Sequence, residues 1–133
     1  MTNEYLAGLF DGEGCICVTK VKPNIKNREK NFRYHLVVEL SNTYLPILQE
    51  LKNKYGGNLR FKRKVNKPCY AWYISKDKTN IFLNDIIDFL IIKKSQAILA
   101  LEFLEFKKNN KYNINRLGIS EEYYNKFKEL KKL

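Results

Sequence analysis

Residues 33–41 alternate strictly between two kinds of side chain. The even-numbered side chains are apolar: Tyr34, Leu36, Val38 and Leu40. The odd-numbered ones are mostly polar: Arg33, His35, Val37 and Glu39. Because successive side chains of a strand point to opposite faces, this segment is predicted to be a strand with one buried and one open face. The fold is therefore expected to contain a sheet that is covered on one side only.

The other elements are predicted from the same periodicities. Helices are expected at residues 3–12, 44–55, 79–90, 95–108 and 120–131, and further strands at 15–22, 58–64 and 70–75. Gly56 and Gly57 are expected to end the second helix, and Ser120 to cap the last one. The order α-β-β-α-β-β-α-α-α predicts a single α+β domain in which helices cover one face of an antiparallel sheet.

The net charge of the chain indicates which class of partner it binds. The 25 Lys and Arg residues exceed the 14 Asp and Glu residues, which gives a formal net charge of +11. A small domain of this charge usually binds a polyanion, most often nucleic acid. Hydrophobic residues make up 44% of the chain, which is enough to form a core. This composition excludes a disordered tail. The apolar run at 86–92 is interrupted by Asp88 and is too short to span a bilayer, so no membrane partner is expected.

The cysteines favour a reducing environment. Cys15, Cys17 and Cys69 are odd in number and lack the C-x-x-C spacing, so a disulfide framework is not expected. Zinc binding by these thiols with His35 is an alternative, although the spacing differs from that of common structural sites. The first residues carry no positively charged signal region. We expect an intracellular location. The sequence does not distinguish between an organelle, a phage and a bacterial cytoplasm.

The open face of the sheet is predicted to contact DNA. Val21 is out of phase with Ile16 and Val18, and a β-bulge between Val18 and Val21 would turn Lys20 and Lys22 outward. The predicted DNA-binding residues of this face are Lys20, Lys22, Arg33, His35, Glu39, Arg60, Lys62, Lys64 and Tyr73. Lys and Arg contact phosphates and guanine edges, and Glu39 could accept a hydrogen bond from a cytosine amino group. A solvated sheet face is the alternative, but the positive charges on strands one and three favour DNA binding.

Residues 5–14, YLAGLFDGEG, combine two unusual features. Gly8 and Gly12 lie one above the other on the predicted helix, where each glycine costs about 1 kcal/mol relative to alanine. The smooth groove that they form predicts close packing against another helix. Asp11 and Glu13 lie at the helix C-terminus, where the helix dipole is already negative, and a divalent cation would relieve the repulsion. A solvated turn is the alternative, and Gly14 is expected to adopt a left-handed conformation there.

Residues 6–14, LAGLFDGEG, resemble the motif of the LAGLIDADG homing endonucleases. The identical positions are Leu6, Ala7, Gly8, Leu9, Asp11 and Gly14. The resemblance extends to the family's αββαββα core, a sheet saddle with helices on one face, over about residues 3–106. Residues 40–42 and 56–57 also look like recurrent family segments. Residues 107–133 would then be a C-terminal helical extension of a single endonuclease domain, residues 1–133.

The resemblance implies a site-specific endonuclease of the intron homing type. It would hydrolyse phosphodiester bonds of double-stranded DNA in a metal-dependent reaction. Glu13, Lys93 and Asn42 are the implied catalytic residues, with Lys94 and Ser41 as the alternatives for the last two. The implied metal ligands are Glu13, where the family more often has Asp, and Gly12. Mg²⁺ is the expected cofactor, Mn²⁺ a possible substitute, and Ca²⁺ is expected to bind without supporting cleavage.

The single copy of the motif implies a homodimer. Its predicted interface consists of Leu6, Ala7, Gly8, Asp11 and Gly12, with the two Glu13 residues meeting at the base. The implied DNA target is long and pseudo-palindromic. Two alternatives remain open: an RNA maturase that assists splicing of its own intron RNA, and a DNA-binding regulator that does not cleave.

Overall fold

The described part of the chain forms four strands and five α-helices. The computed structural model describes residues 1–64 and 66–132, and the side chains of all these residues except 63 and 64. In chain order the elements are α1 (Asn3–Glu13), β1 (Gly14–Val21), β2 (Arg33–Asn42), α2 (Leu45–Tyr55), β3 (Asn58–Lys64), β4 (Pro68–Ile74), α3 (Asp77–Ile86), α4 (Lys94–Asn109) and α5 (Arg116–Leu130). The predicted α+β class and the order of the elements are confirmed.

The strands form one antiparallel sheet in the order β1-β2-β4-β3. Its covered face carries the buried side chains of every second residue, including Val38, Leu40 and Trp72, which pack against the helices. The opposite face has no helix over it in the described part of the chain. Gly56 and Gly57 end α2 with φ angles of +79° and +83°, as predicted.

Strand β1 pairs regularly with β2 along its whole length. Val18 lies opposite Leu36, and Val21 lies opposite Arg33, without an extra residue between them. The predicted β-bulge in β1 is therefore wrong. The described sheet has its irregularity in β3 instead, between Phe61 and Arg63.

Lys20 lies on the covered side of the sheet, because alternation continues unbroken from Val18. Its ammonium is 2.9 Å from a carboxylate oxygen of Glu121 and 4.7 Å from the ring centre of Phe32. An amine at the end of a strand can pack its alkyl stem on aromatic rings and still reach a carboxylate. The prediction that Lys20 faces outward is wrong: it attaches α5 to the end of β1.

Two local predictions at the helix ends are also wrong. Gly14 is extended, with φ −85° and ψ 165°, and is not left-handed. A Cβ atom at this position would overlap the buried ring of Phe10, which explains the glycine. Helix α5 begins at Arg116, and Ser120 is buried inside it rather than at its cap. In the described part of the chain, no helix has the length and apolarity needed to cross a membrane.

Candidate active site and nucleic-acid interface

The open face of the sheet carries most of the predicted DNA-binding side chains. Strand register places His35 opposite Thr19, and Glu39 opposite Tyr73, on this face. Arg33 shares it, because it lies two positions before His35 in β2. Arg60 also shares it, because it pairs with Ala71, which lies two positions before Tyr73 in β4. Lys22 is exposed just after β1, and the side chain of Lys64 lies outside the described residues.

Glu39 is the centre of an ion-pair network on this face. Nη2 of Arg60 lies 2.9 Å from both of its carboxylate oxygens, and Nζ of Lys62 lies 3.6 Å from Oε1. The guanidinium of Arg60 also lies 5.9 Å from the ring centre of Tyr73. In this structure the carboxylate of Glu39 therefore pairs with cations of its own sheet, which differs from the predicted contact with a cytosine amino group.

A depression of about 540 Å³ lies where α1 ends next to the last residues of β2. The lining residues are Glu13, Ser41, Asn42, Thr43, Lys62 and Cys69. Oδ1 of Asn42 accepts a hydrogen bond of 2.8 Å from the backbone N–H of Tyr44, which fixes the side chain in an Asx turn and leaves its NH₂ group available. The fold thus brings Glu13 and Asn42 together, although 29 positions separate them in the sequence.

The polar lining of the depression fits a hard divalent cation. The carboxylate of Glu13 offers oxygen atoms, which Mg²⁺ prefers over nitrogen and sulfur. Among the described residues of one chain, no three His, Cys, Asp or Glu side chains are close enough to hold a metal ion together. Among the described residues that line the depression, Glu13 is the single carboxylate.

Asp11 joins the end of α1 to the start of α4. Its carboxylate accepts hydrogen bonds from the backbone N–H groups of Ile91, at 2.8 Å, and Lys93, at 3.0 Å. Burial alone would raise the pKa of Asp11, but these hydrogen bonds and the charge of Lys93 outweigh it, and the pKa lies below its ordinary value. Asp11 therefore has a structural contact within its own subunit.

Lys93 contacts the motif helix directly. Its Nζ donates a hydrogen bond of 2.6 Å to the backbone carbonyl of Asp11, two residues before Glu13. This places a positive charge at the C-terminus of α1, where it offsets the helix dipole. Lys94, the alternative, is exposed at the first position of α4.

Asp11→Asn is expected to destabilise the fold by about 1.5–3 kcal/mol, because hydrogen bonds to a charged acceptor are replaced by weaker ones and one donor loses its partner. Urea unfolding monitored by circular dichroism measures this change. Asp88→Asn is the matched control, since Asp88 is an exposed carboxylate nearby. Equal stability of the two variants would contradict the structural role of Asp11.

Helix α1 leaves one face exposed, and of the five predicted interface residues it contains only Gly8 and Gly12. Leu6, Ala7 and Asp11 are only 2%, 0% and 9% exposed within their own subunit. The prediction that these three side chains form a dimer interface is wrong, because they pack into the subunit's own core. The residues of the outer face are Tyr5, Gly8, Leu9 and Gly12, at the spacing i, i+3, i+4 and i+7.

Two features of the site were not predicted: the position in the depression of Lys62, itself a predicted DNA-binding residue, and the extent of the free face of α1. Lys62 lies in the depression beside Ser41, with Nζ 3.1 Å from its hydroxyl, and the irregular register of β3 helps to place it there. Tyr5 and Leu9 extend the free face of α1. Helical spacing from Gly8 and Gly12 could have indicated Tyr5 and Leu9, whereas no local pattern indicates the position of Lys62.

Comparisons with known proteins identify the family and the fold. The family model described as LAGLIDADG endonuclease matches residues 6–110. The fold is similar to that of the homing endonuclease I-CvuI in complex with its target in the presence of Ca, with a TM-score of 0.78 and 20% identity over 96% of this chain and 80% of that one. It is also similar to the archaeal intron-encoded homing endonuclease I-Vdi141I complexed with DNA, with a TM-score of 0.79 and 21% identity over 96% and 82% of the two chains.

A third similar structure is the homing endonuclease I-TnaI, with a TM-score of 0.73 and 17% identity over 99% of this chain and 95% of that one. At these identities the structural likeness concerns the fold. The family match covers most of the chain and includes most of α1, the whole sheet and all of α4. The chain therefore belongs to the LAGLIDADG endonuclease family.

Proposed function

We propose that this protein is a site-specific endonuclease of the intron homing type, which cleaves double-stranded DNA as a homodimer and needs a divalent metal ion. One observation carries the proposal: the depression that contains Glu13 and Asn42 opens at one end of the cationic sheet face. Ser41 and Lys62 belong to both surfaces. DNA lying along the sheet would therefore bring a phosphate to the carboxylate.

The glycines of α1 support a homodimer. A Cβ atom added at Gly8 or Gly12 would have no atom of the described chain within 4 Å. Each glycine nevertheless costs about 1 kcal/mol of helix stability relative to alanine. No contact within the described subunit requires glycine at these two positions. Close approach of a second α1 therefore explains why both residues are glycine. The dimer would bring the two Glu13 carboxylates together, so that both could serve as metal ligands.

The residues of the depression have distinct tasks in this proposal. A divalent ion held by Glu13, with the Gly12 carbonyl as a further ligand, would supply Lewis-acid stabilisation and lower the pKa of water. Asn42, fixed by the N–H of Tyr44, orients solvent through its NH₂ group. Lys62 and Lys93 provide positive charge near the phosphate. Two subunits provide one such set for each DNA strand, and their sheets would follow a long pseudo-palindromic target.

The test uses the purified protein and a plasmid that carries the intron-free host site. Linear product in the presence of Mg²⁺ or Mn²⁺, and intact plasmid with Ca²⁺ or a chelator, supports the proposal. Faster splicing of the intron RNA without DNA cleavage would instead establish a maturase. Tight metal-independent DNA binding without cleavage would establish a regulator.

A further inference from the structure

A second polar cavity lies at the other end of the sheet. It has a volume of about 550 Å³ and lies between the start of β2, the end of α4 and the beginning of α5. Four basic side chains line it: Arg33, His35, Lys107 and Arg116. None of its lining residues in the described part of the chain is acidic.

The positive charges extend into the neighbouring surface. Lys76 and Lys111 line an adjoining depression that shares Lys107 and Arg116 with the cavity. Carboxylates near these six residues include Asp77, which lines the adjoining depression, and Glu29, 3.6 Å from Nε of Arg33. We call the six residues the distal basic cluster: Arg33, His35, Lys76, Lys107, Lys111 and Arg116.

The cluster is crowded with like charges. Burial lowers the pKa of Lys107, and the nearby charge of Arg116 lowers it further. Burial also lowers the pKa of His35, with added repulsion from Lys107, Arg33 and Lys76. Nζ of Lys107 is held by a 2.6 Å hydrogen bond to the carbonyl of Tyr34, so this cation is fixed in place. An anion bound here would relieve the repulsion.

The distance between the distal basic cluster and the candidate active site indicates which anion would bind to the cluster. Nine strand positions separate Arg33 from Asn42 along β2, which corresponds to about 30 Å at 3.3 Å per residue. One turn of B-DNA extends about 34 Å. A duplex that follows the open face from the depression would therefore reach the distal basic cluster after roughly one turn. Phosphates line both edges of each groove, so a basic cluster at the edge of the sheet would face backbone phosphates there.

We propose that the distal basic cluster binds backbone phosphates of the DNA target, about one helical turn from the cleaved bond. This inference rests on the proposed function and assigns a role to the segment that joins α4 to α5. Phosphate contacts fix the register of a protein on a duplex without reading its sequence. The cluster would therefore contribute affinity and positioning, while the central part of the sheet contacts the bases.

The test is the salt dependence of DNA binding by the double variant Lys111→Gln, Arg116→Gln. Binding is measured in a chelator, so that no cleavage occurs, on two duplexes with the same centre. The long duplex extends more than one turn from the centre on each side, and the short one ends before it. We expect the variant to bind the long duplex at least about tenfold more weakly, with a salt slope reduced by about 0.9 for each phosphate that the protein no longer neutralises. Its affinity for the short duplex is expected to be unchanged.

The matched control is Lys52→Gln, Lys54→Gln, which removes the same charge from exposed positions on α2. It should bind both duplexes like the unaltered protein. Equal weakening on both duplexes, or none on the long one, would overturn the inference. Unchanged thermal unfolding of the double variant shows that its loss of affinity is not a loss of fold. Failure of the proposed function would give a different result, because the unaltered protein would then not cleave the plasmid.

Discussion

Glu13→Gln is expected to slow DNA cleavage by about 10³-fold or more, because it removes several kcal/mol of metal-dependent stabilisation of the transition state. The amide keeps the size of the side chain but is neutral and a poor ligand for Mg²⁺. Affinity for the DNA target should persist, because the cationic sheet face is unaltered. Single-turnover cleavage of the host-site plasmid and equilibrium binding to the same site measure the two effects.

Glu4→Gln is the matched control for this experiment. Glu4 is an exposed glutamate of the same helix, in its first turn and far along the axis from Glu13. Its replacement changes the net charge equally and should leave cleavage unaffected. Normal cleavage by Glu13→Gln would remove Glu13 from the catalytic role, whereas equal loss in both variants would indicate an effect of charge alone.

Gly8→Leu is expected to weaken the homodimer by about two orders of magnitude in Kd, since overpacking a close helix contact costs about 3 kcal/mol. Within the subunit the new Cβ atom has open space, because apart from the helix's own backbone no described atom lies within 4 Å of it. Leucine also favours the helix over glycine by up to about 1 kcal/mol, so the monomer should not lose stability. Sedimentation equilibrium and urea unfolding measure the two quantities.

Gly118→Leu provides the comparison. Gly118 lies in α5, and a Cβ atom there also has no neighbour within 4 Å. This variant should keep the oligomeric state while gaining similar helix propensity. A protein that is monomeric before mutation, or a Gly8→Leu variant that remains dimeric, would refute the proposed packing of α1 against its copy.

Local sequence patterns were sufficient for much of the fold. The alternation in residues 33–41 predicted β2 and its buried face, and the two glycines at 56–57 predicted the end of α2. The motif at residues 6–14 predicted the family. These features depend on neighbours a few positions apart, where periodicity and backbone conformation are determined by the residues themselves.

Contacts between distant segments were not predictable in this way. An apparent phase change at Val21 suggested a bulge, but pairing with Arg33 kept β1 regular and turned Lys20 toward α5. The motif predicted which residues form α1, but it did not show which face of this helix packs against the core of the chain. Packing decided that Leu6 and Ala7 are buried and that Tyr5 and Leu9 border the free glycine groove.

The sequence by itself therefore determined the order of elements, the family and the chemical character of the site, because these follow from local periodicity and residue type. Only the tertiary structure decided which charges share a surface. Glu13 meets Asn42 and Lys62 in one depression, and Arg33 meets Lys107 and Arg116 in another. Such groupings depend on strand register and helix packing, in which residues far apart along the chain compete for the same space.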